Sequence, residues 1–562
     1  MSRLPPGEPP AEEPSEQDSG LLRNSAVMAA ATVVSRLSGF LRAIVMVAAI
    51  GTGIFGDAFQ LANSIPTSVY ILVAGGALNS VFMPQLVRAM QRDDDGGEAF
   101  GQRLLSLVMV VLAVMSVAAV ALAPWLVSLF ANPAMRLPAN QPYFQIAVSL
   151  ARYCLPQIFF YGLYVVLGQI LNARGRFGPM MWAPLLNNVV SIGVFALYLV
   201  VGHGSDATTV TAGDLRLLGL GSTVGIAVQA LCLVPLLRRA GFRLRVRSDL
   251  RRQGLDTSVR LAIWTIGFVV VNQIWLVVAT RITTGVSAQA QAAGLPGGYG
   301  LTPYLQAYVI FSLPHSVVTV SLVTALLPQI SRAASRGDLA TVRRDVARTL
   351  RLVAVALAPA AAAFVALGTT FSEALFRSDQ VSASAARFLG LVLAAFAPAL
   401  LGFCSHYVTL RAYYAQEDTR TPLFVQLGVV AASSVVALTA YQVLPLQQKT
   451  LGVAFAYGVG YWLGFGINLL VLRRRLDGME GRSLASTYGR AILAAVVAGG
   501  LAWGVVRVVD PLLSATRIGL LLVGGAGALV LVLVYLLAVR ILRVRELDDV
   551  IALVRRRVRP AR

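Results

Sequence analysis

Two arginines sit inside an apolar stretch near the start of this 562-residue chain. The stretch reads AVMAAATVVSRLSGFLRAIVMVAAI and carries Arg36 and Arg42. A guanidinium is planar and always charged, and its fork of donors can grip two oxygens of a carboxylate or phosphate at once. Near the centre of a membrane-spanning helix each arginine costs about 2.5–3.5 kcal/mol on insertion scales. A partner or a water-filled cavity must offset that cost, and the chemistry such a pair can do is to hold an anion inside the membrane. The next apolar segment, GDAFQLANSIPTSVYILVAGGALNSVFMPQL, opens on Asp57 and is broken by Pro66, Gly75 and Gly76. One carboxylate cannot neutralise two guanidinia. Arg36, Arg42 and Asp57 therefore read as a substrate-binding set. The plainer alternative is a structural ion pair with Asp57, or side chains that snorkel to the interface.

Little else in the chain suggests bond-making chemistry. The three cysteines, Cys154, Cys232 and Cys404, lie in or beside apolar runs and form no CxxC pair. The three histidines, His203, His315 and His406, are scattered. No metal site, disulfide framework or cofactor is expected from such spacing. Within the apolar runs there are no paired carboxylates, nucleophile–base pair or phosphate loop, so a transporter is expected rather than an enzyme.

The elements that must position the arginines are membrane helices. Hydrophobic residues make up 57% of the chain and charged residues 13%. Apolar runs of roughly 20 residues, the length that spans a bilayer core as a helix, recur to the end. They are too long, and alternate too little, for barrel strands. The fold class is all-α and polytopic. About 14 spans fall near 22–50, 57–90, 101–130, 143–171, 180–202, 215–238, 256–283, 301–331, 342–370, 386–414, 423–444, 451–472, 486–508 and 518–540. The net charge of +21 does not call for nucleic acid, because the basic residues cluster in alternate loops. The other loops, such as 51–56, 203–214 and 284–300, hold no Lys or Arg. By the positive-inside rule the arginine-rich loops and both termini are cytoplasmic. Residues 1–21, rich in Pro, Glu and Ser, read as a disordered tail and not a signal peptide. Residues 541–562 alternate an apolar face with an arginine face, which suits anionic membrane lipids.

Landmarks recur at one spacing. FMPQLVRAMQRDDDGG with Pro84 returns as LLPQISRAASRGD with Pro328, about 244 residues on. NARGRFGP with Pro179 returns as RAYYAQEDTRTP with Pro422, about 243 residues on. Six spans separate the units, so the halves enter the membrane alike, as in parallel-repeat transporters. The expected lobes are 22–240 and 256–475, joined by a basic linker at 241–255, with 476–540 holding two extra spans. Two bundles around a central space imply alternating access. The second lobe lacks an equally placed arginine pair; its first span offers Asn272 and Gln273 mid-span and Arg281 near its end. Gly39, Pro66, Gly75, Gly76 and Pro314 are the candidate hinges.

SRLSGFLRAIV, GDAFQLANSIP, GQILNARGRFGPMMWAPLLNN and RAYYAQEDTRTP together resemble the MurJ/MviN family of the multidrug/oligosaccharidyl-lipid/polysaccharide exporter superfamily. The resemblance covers about 22–540. It implies a flippase for lipid II, the undecaprenyl-linked peptidoglycan precursor, in the bacterial cytoplasmic membrane, with cell-wall synthesis proteins as candidate partners. It implies that Arg36 and Arg42 hold the diphosphate, that Asp57 matches the family's second-span aspartate, and that spans 13 and 14 form a groove for the lipid tail. The chain also departs from the family. Tyr70 and Val309 stand where many members carry further cavity arginines. The acids of the family's sodium site are missing from 258–280 and 423–444. The alternatives are a flippase for another polyprenyl-linked saccharide, or a drug–cation antiporter of the same superfamily, which would want acids in its cavity.

Overall fold

The computed structural model describes residues 16–72, 97–243, 245, 256–295, 297–513, 516–544 and 546. Among them the structure is helical, and the one β contact is an isolated bridge between Ser378 and Val381. The apolar runs form α1 (Glu16–Ile50), α2 (Ile54–Leu72), α3 (Glu98–Ala121), α4 (Ala123–Phe130), α5 (Gln141–Cys154), α6 (Gln157–Ala173), α7 (Gly178–Val201), α8 (Ala212–Leu231) and α9 (Leu233–Arg239). After the basic linker come α10 (Asp256–Ala292), α11 (Leu301–Pro314), α12 (Val320–Ser335), α13 (Leu339–Phe376), α14 (Ala383–Ala415), α15 (Arg420–Val443), α16 (Lys449–Arg475), α17 (Gly481–Leu513) and α18 (Arg517–Ile541).

Thirteen helical units among the described residues are long and apolar enough to cross a bilayer. The remaining expected span is α2, 19 residues long and described as far as Leu72. Its expected continuation to residue 90 lies outside the described residues, and so do Gly75, Gly76 and Pro84. Most of the basic linker and of the 541–562 tail lies outside them too. One boundary moves: α1 begins at Glu16, inside the stretch expected to be an unstructured tail, of which only 1–15 remains outside the described residues.

Lipid, not water, suits the outer surface. Val200, Val443 and Leu512 are 83%, 75% and 78% exposed, and exposed apolar surface on that scale belongs against hydrocarbon. Helix pairing is the same in the two halves. In the first, α1 packs on α7, α7 on α8, α2 on α5, α5 and α6 on α8, and α3 on α6. In the second, α10 packs on α15, α15 on α16, α11 on α14, α14 on α16, and α13 on α14. The extra helices α17 and α18 pack on each other and on α13.

The halves meet at the ends of the helices away from the arginine-rich loops. Asn132 donates from its side chain to Arg281 O at 3.0 Å and from its backbone to Thr284 Oγ1 at 3.0 Å. Asn140 Nδ2 donates to Ala288 O at 3.3 Å. At the opposite end, Asp418 joins the α14–α15 turn to the last turn of α16 through Arg475, at 2.6 Å. Burial works against the Asp418 carboxylate, but hydrogen bonds from Thr421 and Arg475 outweigh it and hold the group below the usual carboxylate range. A depressed carboxylate contributes its stability above the unfolded value, near pH 4, and loses it as pH falls through the folded value. Asp418→Asn should therefore lower the melting temperature of the purified protein at pH 7. The gap to the parent protein should close as the pH drops below about 4, which a thermal-shift series reads directly.

Candidate anion-binding cavity

A cavity of about 720 Å³ lies between the halves, walled by α1, α2, α6, α7 and α8 of the first and by α10 and α11 of the second. Its lining runs from Ser35, Ile71 and Met180 near the arginine-rich end to Ala43, Phe59 and Phe195 near the other. Phe59 and Phe195 meet edge to face at 5.6 Å and form its far wall. Arg36 and Arg42 both line it. Arg36 is exposed to the space and Arg42 is half-buried in the wall. Arg42 lies near Tyr161, and Arg36 near Tyr308 and His315. Among the described residues no carboxylate comes within 4.0 Å of either guanidinium. No Asp or Glu among the described residues lines the cavity.

The segment SRLSG is held by the fifth span. Asn188 Nδ2 donates to Ser35 O at 3.1 Å and to Ser38 Oγ at 2.8 Å, which fixes the turn of α1 that carries Arg36. Gly39 lines the cavity on that same face, in ordinary contact range of Asn188. Opposite, α2 presents Gln60, Asn63, Ser64 and Thr67, the i, i+3, i+4, i+7 spacing of one helix face. Gln157 donates to Asn63 at 3.2 Å, and the Tyr161 hydroxyl lies 3.4 Å from Thr67. This neutral polar strip was not singled out from the sequence, although its spacing is readable there. Two unpaired guanidinia facing neutral hydrogen-bonding walls can hold an anion and offer nothing to a cation.

Asp57 takes a different position from the one expected. It does not line the cavity, and its side chain is fully buried. The carboxylate accepts the Leu301 N–H at 2.7 Å and the Thr302 N–H at 2.6 Å, and also the Ser287 hydroxyl. It thus satisfies the orphan donors that open α11, a helix of the other half. The physical reason is depth. Asp57 sits in the first turn of α2, at the closed end of the molecule. Arg42 lies eight residues before the end of α1, about 12 Å lower along the axis. Gly300 is required beside this contact, because a methyl group there would overlap both Ser287 Oγ and Asp57 Oδ2.

The secondary candidates do not converge. Tyr70 stacks on Tyr161 with ring centres 4.8 Å apart, one layer behind the cavity wall. Asn272 donates to Phe268 O at 2.8 Å and accepts from Gln426 at 3.0 Å, inside the second half. Gln273 lies near it in sequence, with a buried, unpaired Oε1. Arg281 donates to Leu129 O at 3.2 Å, at the closed end. None of these four lines the cavity. They differ because an α-helix turns adjacent residues to different faces, so mid-span position alone does not choose the cavity side. Of the candidate hinges, Pro66 lies within α2, and Pro314 ends α11 just before a π-helical turn at His315–Thr319. Val309 lines the cavity where the resemblance led us to look for an arginine.

The chain matches the family described as Lipid II flippase MurJ over residues 46–522. A protein of Rhizobium tropici named "Probable lipid II flippase MurJ" is 27% identical, over 91% of this chain and 92% of its own length. The Burkholderia cenocepacia protein named "Lipid II flippase MurJ" is 26% identical, over 84% of this chain and 87% of its own. The solved structure titled "Lipid II flippase MurJ, inward closed conformation" superposes with a TM-score of 0.68 at 17% identity, covering 92% of this chain and 99% of that one. An outward-facing multidrug resistance MATE family transporter of the MOP superfamily follows with a TM-score of 0.56 at 14% identity, covering 81% and 96%. At those identities the solved structures speak to the fold alone; by title one is a flippase and the other a transporter. The match to the family, across most of the chain, decides the rest: this is a multi-pass membrane protein of the lipid II flippase MurJ family.

Proposed function

We propose that this chain is a lipid II flippase, moving the undecaprenyl-diphosphate-linked precursor from the inner to the outer leaflet of the bacterial cytoplasmic membrane. The observation that carries the reading is a cavity whose described lining holds Arg36 and Arg42, unpaired, and no acid. The diphosphate binds there through charge-assisted hydrogen bonds. The tail remains in lipid or in the apolar groove of about 610 Å³ between α17 and helices α13, α14 and α16, lined by Ala362, Val365, Ala495 and Gly499 among others. The two six-span lobes, 22–240 and 256–475, then rock, breaking the contacts at the arginine-poor end and opening the cavity to the outer face. No covalent step is needed.

The arginine-rich face is the cytoplasmic one in this reading, and both termini lie on it. Cysteines introduced at 204–213 should react with an impermeant thiol reagent added to intact cells, whereas cysteines at 476–485 should not. Labelling of both sets would overturn the orientation.

The test of function is translocation of lipid II in proteoliposomes, beside a second polyprenyl-diphosphate saccharide and a drug cation. Lipid II should cross and the cation should not. Equal transport of both lipid-linked sugars would broaden the substrate to the shared diphosphate. With no Asp or Glu at 258–280 or 423–444, replacing sodium should leave the rate unchanged, and collapsing the membrane potential should lower it. A charge moved through the field gains about 2.3 kcal/mol per 100 mV. Strict sodium dependence would contradict the coupling.

A further inference from the structure

A second cavity, of about 830 Å³, lies at the arginine-rich end of the second half, away from the site above. Leu463, Ile467 and Leu470 of α16 give it an apolar wall. Arg473 stands at its rim, and Gly481 and Arg482 bring the first turn of α17 to the same space. Both arginines are exposed, and among the described residues neither has a carboxylate within 4.0 Å. Among the described residues Glu480 is the one acid in the lining, and it is already paired with Arg351 at 2.5 Å. The turn between the helices makes this possible: Asp477, Gly478 and Glu480 have φ of 56°, 123° and 48°. The cavity therefore presents two uncompensated guanidinia and the positive pole of a 33-residue helix, above a hydrocarbon-like wall.

Arginines at this face also follow from membrane topology, which explains their side but not their place around an apolar cavity. That pairing of charge and apolar wall matches an amphiphile with an anionic head. We propose that this cavity binds an anionic phospholipid of the adjacent leaflet. The phosphate diester would lie between Arg473, Arg482 and the start of α17, and an acyl chain along Leu463, Ile467 and Leu470. The site is independent of lipid II and of the flippase reading.

Gly466 supplies the clean probe. It lines the cavity, and a Cβ built on it meets nothing within 4 Å. Gly466→Leu should thus fill the space without displacing the helix. The experiment is native mass spectrometry of the purified full-length protein, equilibrated with equal phosphatidylglycerol and phosphatidylcholine. The parent protein should retain phosphatidylglycerol in preference by about 30-fold, as two arginines at a lipid surface would give. Arg473→Gln with Arg482→Gln should bring the two lipids near parity, and Gly466→Leu should lower the bound phosphatidylglycerol several-fold. Arg540→Gln, at the end of α18, should leave the preference in place. Equal retention of both lipids by the parent protein would mean unselective annular lipid and would overturn the proposal. An unchanged preference in the arginine variant, or parent-like bound phosphatidylglycerol in Gly466→Leu, would do so as well. Displacement of the lipid by millimolar inorganic phosphate would reveal a simple phosphate site instead.

Discussion

The double variant Arg36→Ala, Arg42→Ala should reach the membrane at the parent level and fail to bind lipid II. Insertion is not threatened, because each substitution removes an intramembrane charge that costs about 2.5–3.5 kcal/mol on insertion scales. Nor does the fold lose a partner, since no described carboxylate is paired with either guanidinium. What is lost is the positive charge that the described residues bring to the cavity lining. Hydrogen bonds to charged groups contribute about 1.5–3 kcal/mol each, so removing both arginines should weaken binding at least about 100-fold. Arg42→Lys keeps the charge and loses the two-point fork, and should fall between the parent protein and Arg42→Ala. The measurement is lipid II affinity of detergent-purified protein alongside its abundance in the membrane. Parent-like affinity in a well-expressed double variant would remove the diphosphate site.

Asp57→Asn should act on the closed end rather than on substrate contact. The carboxylate accepts two backbone N–H groups and a hydroxyl at the start of α11. An amide keeps one oxygen and turns an NH₂ toward a donor, leaving a buried group unsatisfied at a cost of about 1–3 kcal/mol. That contact bridges the two halves, so its loss should favour the state open at the arginine-poor end. A cysteine placed at Gln306, which lines the cavity, should become reactive to an impermeant thiol reagent added from outside. Lipid II affinity, measured in detergent, should change far less than in the arginine variant. A loss of affinity as deep as that of Arg36→Ala, Arg42→Ala, with the Gln306 position still shielded, would return Asp57 to the binding site.

The different fates of Arg42 and Asp57 show where sequence reasoning holds. Hydropathy and helix length are local properties, so the apolar runs announce the spans, and an arginine within one announces a polar space in the membrane. The absence of acids from 258–280 and 423–444 is equally local. Even the polar strip of α2, Gln60, Asn63, Ser64 and Thr67, is written as a helical period. Asp57 is not local in that sense. Its donors lie 230, 244 and 245 residues away, and nothing near it in the chain distinguishes a cap on a distant helix from a partner for the adjacent arginines. The same holds for Asn272, Gln273 and Arg281, whose mid-span or end positions are plain from sequence but whose facing is set by the helices packed around them. The sequence by itself determined an all-helical membrane protein with two cationic residues within its first span. Only the tertiary structure decided which side chains share the cavity with them and which acid closes the molecule behind it, because burial and hydrogen bonding at those points depend on segments that meet only when the two halves pack together.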